Sequence, residues 1–482
     1  MNRIIKKENI PFWLFTAGIM IFLTLPKLIQ DGMFLDGMLY TCVSHNMANG
    51  VGTFWFPQYS PSLFSGYPYF LEHPPLVFWI QSLFFRVLGD SMYVERFYIF
   101  LTMCITALLI IILWRDIFKS DEKIRDLSWL PLIFWMSIPT WFWSYSNNMM
   151  ENTLTIFDLS AVLIIYRALE SGKRQTVSMI AAGFFVFLAT LSKGVPGLFP
   201  VVIPLIYWLI KGRKNLGKAV LNMTVIISVI FLIYFILFNL PQSRESLTFY
   251  FKERLLGRIN QVPTTLDRLY TVKRLFAELI VPFLLAAILL IISKIKKSNN
   301  TQTGSSGTVL FLLIGLSASV PLSFTLVQRG FYLVPSFPYF AICIALLTAP
   351  VILNFKETLV SDNKYLRNFT IIAILVFTFS LAYSFMQKGK TQRDRDMLHD
   401  VHTIGNTIPH GSQITVNQMI ASAYVLESYF IRYYYISLYV DIPKPYLIVL
   451  KSEDPLIPSG FENLELPTRV YDVYKMKPNS PE

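Results

Sequence analysis

The sequence predicts an all-α polytopic membrane protein with about eleven transmembrane helices, interfacial helices in its first outer loop, and a small external α/β domain at the C-terminus. Three observations carry that expectation. Of 482 residues, 54% are hydrophobic and only 15% charged, which is more apolar surface than one soluble core of that length needs. Apolar stretches long enough to cross a bilayer recur between short polar loops, as expected of helices that satisfy their own backbone in lipid. After Phe385 the apolar runs become too short to span, and polar and charged residues take over.

Spanning helices are expected at roughly 10–30, 97–114, 127–147, 150–168, 177–192, 195–210, 219–240, 275–293, 308–327, 332–351 and 369–387. The first is read as uncleaved, because Lys6 and Lys7 precede a long apolar run and no small-residue cleavage pattern follows. Orientation follows from the basic residues, which resist translocation and collect on the cytoplasmic side. Every second loop is basic: Lys6 and Lys7; Arg115, Lys119, Lys123 and Arg125; Arg167, Lys173 and Arg174; Lys211, Arg213, Lys214 and Lys218; Lys294, Lys296 and Lys297; Lys356, Lys364 and Arg367. The segment 31–75 has neither Lys nor Arg and should face outward, which makes the N-terminus cytoplasmic and the C-terminus external. A bacterial inner membrane, with the C-terminal domain external or periplasmic, is the expected location.

Two units are expected, a transmembrane domain at 1–387 and an external soluble α/β domain at 388–482. Within the first, 31–96 forms a long outer loop whose aromatics, among them Trp55, Phe56, Tyr59, Tyr67, Tyr69 and Phe70, argue for folded structure against the bilayer face. An amphipathic helix should begin near Asp36, and "PLVFWIQSLFFRVL" at 75–88 should lie in the interface rather than cross. The segment 298–307, "SNNTQTGSSG", reads as a flexible linker on the cytoplasmic side. In the external domain a helix at 394–408, a strand at 413–416, a helix near 422–434 and strands "PYLIVL" and "RVYDVYKM" are expected.

A formal net charge of +12 would suggest nucleic acid in a soluble protein, but these basic residues sit in loops that a membrane surface explains. The three cysteines, Cys42 in a polar loop and Cys104 and Cys343 in apolar segments, form neither a disulfide framework nor a zinc pattern.

Candidate chemistry concentrates at the outer boundaries. Asp36, read by residue type, is a helix N-cap carboxylate. Glu151 opens an apolar run on the same side, so two carboxylates face one external cavity. Asp158, two turns deeper, needs a partner or a proton, because a charge at mid-membrane costs about 2.5 to 3.5 kcal/mol on insertion scales. The outer loop 241–274 departs from the orientation rule with Arg244, Lys252, Arg254, Arg258, Arg268, Lys273 and Arg274. Either an anionic ligand or anionic lipid head groups account for it. Lys193 and Arg329 also fall at outer helix ends, where a lone cation either snorkels or binds.

The ordered set "DGMLY", "EHPPLVFW", "RVLGDSMYVER", "ENTLTIF", "LSKGVPGL" and "RGFYLVPSFPYF" resembles the GT-C glycosyltransferases related to protein O-mannosyltransferases and the aminoarabinose transferase of lipid A. The likeness runs from about residue 30 to 350. It implies an inverting transfer in which an acceptor hydroxyl or amine attacks the anomeric carbon and polyprenyl phosphate leaves. By position Asp36 is the essential acid and Glu151 the second one, although that family commonly has "DP" where "EN" stands here. Gly37 replaces a frequent acid, and His73 stands where Lys commonly precedes "PPL".

On that implied chemistry Asp36 accepts the acceptor's proton, Glu151 orients acceptor or sugar, and Lys193, Arg254, Arg258, Arg329 and His73 hold the donor phosphate. Tyr40, Glu72 and Tyr332 are the candidates for sugar or acceptor contact. The partners implied are a polyprenyl-phosphate sugar donor, a lipid, glycan or protein acceptor, and membrane lipids, with no nucleic acid. No resident cofactor is implied, and a divalent metal is left open. A Gly-rich nucleotide loop is absent from the sequence, in keeping with a lipid-linked donor. The competing classes are a transporter or lipid flippase, with Asp158 and Glu278 as mid-membrane ionisable groups, and a scaffold with a sensory domain.

Overall fold

The structure is a computed structural model that describes residues 6–62, 69–257, 264–265, 267–295, 305–453 and 457–477. The bundle begins with α1 (Ile10–Leu28), followed by α2 (Leu35–Ala48), α3 (Leu76–Leu88) and α4 (Tyr93–Ile117). Three short helices come next, α5 (Glu122–Arg125), α6 (Leu130–Met136) and α7 (Pro139–Ser144). The long helices α8 (Met150–Ser171) and α9 (Gln175–Lys193) precede a tight helical turn and α10 (Ile203–Ile210). Then come α11 (Leu216–Asn239), α12 (Pro241–Phe249), α13 (Tyr270–Ile295), α14 (Ser305–Ser319), α15 (Phe337–Ser361) and α16 (Asn363–Met386).

Among the described residues nine helical segments are long and apolar enough to cross a membrane, and the chain is an integral membrane protein. Ion pairs between loops fix which helix ends lie together. Lys6 meets Glu122 and Asp126, Lys123 meets Glu357, Arg167 meets Asp116, and Lys211 meets Glu170, so all these loops share one end of the bundle. At the opposite end Glu151 pairs with Lys193, Glu72 with Arg254, and Asp31 with His402. Two further passes follow from this geometry. The chain must cross between Asp116 and Glu151, and again between Lys193 and Lys211.

Both of those passes are broken, where the sequence suggested straight spans at 127–147 and 195–210. Proline is the cause. Ile138, forced out of helical geometry by Pro139, has φ −81° and ψ 118°, which separates α6 from α7. Pro196, Pro200 and Pro204 likewise divide the other pass into a 3₁₀ stretch and α10. α3 does not cross, since its start abuts the Glu72 end and Asp90 just beyond it bonds His45 of α2. The expected linker 298–307 lies mostly outside the described residues, but Ser305 already begins α14.

Beyond α16 the chain forms α17 (Arg395–Thr407), β1 (Gln413–Val416), α18 (Gln418–Ala421), α19 (Tyr424–Tyr434), β2 (Ser437–Val440), β3 (Tyr446–Leu450), β4 (Phe461–Asn463) and β5 (Tyr471–Met476). The strands make one sheet in the order β2-β1-β3-β5-β4, parallel across β2, β1 and β3 and antiparallel on the other side. β2 and β4 were not foreseen.

This cap sits on the Asp31 end of the bundle and shares its core. Leu398, Val401, Ile404, Leu426, Tyr429 and Phe430 pack in one cluster with Leu28, Met33, Met38 and Ile99 of the bundle. α2 is therefore sandwiched between α3 and α19, with every residue from Gly37 to Met47 buried, rather than floating half in lipid as an amphipathic helix. Cys42, expected in a polar loop, is one of these buried residues and donates to the Ser428 carbonyl of α19.

Polar contacts lock the junction. Arg432, 1% exposed, donates to Glu95 and Asp90 carboxylates and to the Asp90 and Ser91 carbonyls, while its guanidinium lies over the Phe85 ring. Glu95 also accepts from Arg96. Ser60 and Ser62 of the first loop donate to Glu427, so the cap holds that loop as well.

Candidate active site

Asp36 occupies the first turn of α2, but Phe34 is the capping position and no side chain caps this helix. The N-cap reading of Asp36 is therefore wrong. Its carboxylate has no hydrogen bond among the described residues, and its electrostatic neighbours are Lys193 and Arg329. Burial raises its pKa above the usual aspartate value, and those two cations only partly oppose the effect.

Two consecutive amides place this helix. The Asn147 side-chain Oδ1 accepts from the Phe34 backbone N–H, and the Asn148 side chain donates to Thr41, Gln81 and the Gly37 carbonyl. Both belong to the turn that opens α8, so they set Asp36 against Glu151. Gly37 makes the approach feasible, since a Cβ there would come within 2.8 Å of the Asn148 nitrogen. The absence of a second acid at this position thus has a steric reason. Gly37→Ala is expected to push α2 away from this turn and cost about 1 to 3 kcal/mol, a loss that thermal unfolding measures.

Glu151 is 1% exposed and accepts a hydrogen bond from the Lys193 ammonium, forming a buried ion pair. Its other oxygen, Oε2, has no partner among the described residues. The Lys193 ammonium lies 4.9 Å from the Tyr332 ring centroid and 5.5 Å from that of Phe331, which leaves it two further N–H donors. Gly194 follows with φ +84°, and a Cβ there would collide with the Tyr250 hydroxyl. Glycine is what lets Tyr250 close over the end of α9.

The Tyr40 phenol links the parts. Its hydroxyl bonds His73 Nε2 at 3.1 Å, and burial pushes its pKa far up, with Asp36, Glu151, Tyr332 and Glu72 adding to the effect. Those four residues therefore act electrostatically on one phenol. Glu72 in turn accepts from Arg254, so this arginine is already paired.

A cavity of about 420 Å³ opens beside these groups, lined on its polar side by Glu72, His73, Lys193, Arg254 and Tyr332. The rest of its lining is largely apolar and includes Leu322, Phe324, Leu326 and Val327, and Phe324 is 85% exposed. Arg329 is exposed and acts on Asp36 through its charge, and it does not line the cavity. Arg258 lies outside the described residues. Asp158 is buried with neither oxygen partnered among the described residues, whereas Glu278 is held by Arg274 and Thr140.

Sequence reasoning gathered most of this set at one end of the bundle but missed Asn147 and Asn148. A pair of amides just before an acid at a helix start was the available signal. No group of three or more His, Cys, Asp or Glu side chains among the described residues could hold a metal ion.

Residues 72–238 match the family model described as dolichyl-phosphate-mannose-protein mannosyltransferase. The fold is similar to that of ArnT from Cupriavidus metallidurans bound to undecaprenyl phosphate, with TM-score 0.67, 12% identity, and 98% of this chain aligned to 99% of that one. The apo form of the same protein aligns with TM-score 0.65 and 12% identity over 96% of this chain and 97% of that one. No curated protein matches the sequence.

Proposed function

We propose, on the premise that this integral membrane protein has the GT-C glycosyltransferase fold, that it transfers a sugar from a polyprenyl-phosphate donor to a lipid, glycan or protein acceptor on the outer face of the membrane, with inversion. One observation carries the reading. A half-buried, unbonded carboxylate, Asp36, feels the charges of Arg329 and of Lys193, and Lys193 lines a cavity that is cationic in part and apolar in part. Such a cavity suits a ligand with a phosphate and a hydrocarbon tail.

In the proposed reaction the acceptor's O–H or N–H gives its proton to Asp36 as its heteroatom bonds the anomeric carbon. The bond from that carbon to the phosphate oxygen breaks, and its electron pair leaves on the polyprenyl phosphate. Lys193, Arg254 and Arg329 stabilise the charge that develops there, where low dielectric strengthens each contact. Glu151 holds the Lys193 ammonium in place, and Glu72 does the same for Arg254. These acids position cations, a role different from the sugar contact expected of Glu72.

The test is transfer from a polyprenyl-phosphate sugar to surface glycolipid or glycoprotein acceptors by the purified chain in detergent. Product with inverted anomeric configuration supports the reading, and hydrolysis without transfer would sink it. Arg329→Ala is expected to raise the donor KM about tenfold or more, the worth of one charge-assisted bond of roughly 1.5 to 3 kcal/mol. Thermal stability should not change, because Arg329 is exposed. Orientation has its own check. A reporter active only outside the cytoplasm, fused after Glu482, is expected to be active, and activity only of a cytoplasmic reporter would reverse the assigned orientation.

A further inference from the structure

A second charged site lies where the last span leaves the bundle. Residues 387–392 run against the end of α1: the Gly389 amide donates to the Ile29 carbonyl, the Asp31 amide to the Lys390 carbonyl, and Lys27 reaches Gln392 at 2.7 Å. Between this strap and α17 is an open groove of about 680 Å³, lined by Lys390, Arg395, His399, His402, Thr403 and Arg469, with no carboxylate in its lining.

The nearby acids are already engaged. Asp31 bonds His402 at 2.7 Å and accepts from the Tyr433 hydroxyl, Asp396 pairs with Arg469, and Asp400 accepts three backbone amides from Arg469 to Tyr471. Lys390 and Arg395, both exposed, have no ion-pair partner among the described residues. Two uncompensated cations therefore point into one groove that also offers hydroxyl and imidazole donors.

Height identifies the ligand. The groove begins four residues after α16 ends and adjoins the end of α1, so it lies level with lipid head groups. On the spans that lead to it, α1 and α16, Phe22, Phe379, Phe385 and Met386 are 42%, 60%, 68% and 67% exposed, as side chains in contact with acyl chains are. A phosphate above and a tail below is the shape of a membrane lipid. The residues are not those of the catalytic cavity, so the site does not depend on the reading given for that cavity.

We propose that this groove docks the phosphate of an anionic membrane lipid and so seats the cap on the bilayer. Basic residues at a membrane surface contribute about 1 kcal/mol each. Losing two would weaken binding about thirtyfold, or ~2 kcal/mol at 1.4 kcal/mol per tenfold.

The experiment places the full chain in phosphatidylcholine nanodiscs titrated with phosphatidylglycerol and reads bound lipid by native mass spectrometry. The parent should enrich phosphatidylglycerol. Lys390→Ala with Arg395→Ala should need about thirtyfold more, and Lys390→Arg with Arg395→Lys should restore binding. Unchanged enrichment in the double alanine variant would overturn the proposal. An equal loss from Lys364→Ala with Arg367→Ala, at the opposite end of the bundle, would overturn it as well. Displacement of the lipid by millimolar inorganic phosphate would assign the groove to free phosphate instead.

Discussion

Purified Asp36→Asn is expected to fold normally and to turn over about 100-fold to 10,000-fold more slowly, the usual worth of general-base assistance. Asparagine keeps the shape of the side chain and removes only its ability to take a proton. Stability should hold or rise. Burial lifts the Asp36 pKa, so the folded chain binds this proton more tightly than the unfolded chain does, and the ionised carboxylate costs stability as pH rises past the unfolded value. Removing the charge removes that cost at neutral pH.

The same shift sets the acid limb of the parent's rate profile above the ordinary aspartate range near 3.9, since activity falls as the base becomes protonated. The measurements are transfer rate against pH and thermal unfolding of both proteins. Turnover within a fewfold of the parent would remove Asp36 from the role of base. Glu151→Gln is the comparison. A larger rate loss there, with folding intact, would exchange the two roles.

Arg432→Met is expected to lower stability by about 3 to 5 kcal/mol, the cost of removing one partner from a buried charge network. Few single changes should do more. The guanidinium satisfies Asp90 and Ser91 carbonyls and the Asp90 and Glu95 carboxylates at once, and methionine replaces only its packing. Arg96 still reaches Glu95, which limits the damage to the junction between cap and bundle. Faster amide exchange should therefore begin in α19 and α2, ahead of α8 and α9. Uniform exchange across the chain, or a melting temperature like the parent's, would show that the cap is held by its apolar core alone.

Several features could be read from the sequence because they are written in composition and local periodicity. Apolar length locates the passes, and alternating basic loops place Asp36, Glu151, Lys193 and Arg329 at one end. The change after Phe385 marks the cap, and α17, α19, β1, β3 and β5 lie near where the pattern put them, whereas α18, β2 and β4 were not foreseen. Proline hid the breaks at Ile138 and in the pass beyond Lys193, because apolar length says how far a chain can cross and not whether it stays helical.

Tertiary structure alone decided how the charges are shared. Lys193 pairs with Glu151 across 42 residues, Arg254 with Glu72 across 182, and Tyr40 with His73 across 33, separations that no helical or strand period encodes. Likewise Asp36 reads as a cap by residue type, and only the position of Phe34 and the amides of Asn147 and Asn148 leave its carboxylate unbonded. The burial of α2 under the cap belongs with these. Its residues are apolar enough for lipid or for a core, and the choice rests on α19, nearly 400 residues away, whose Tyr429 bonds Met33. Sequence determines what each segment can bury, whereas the folded chain determines against what.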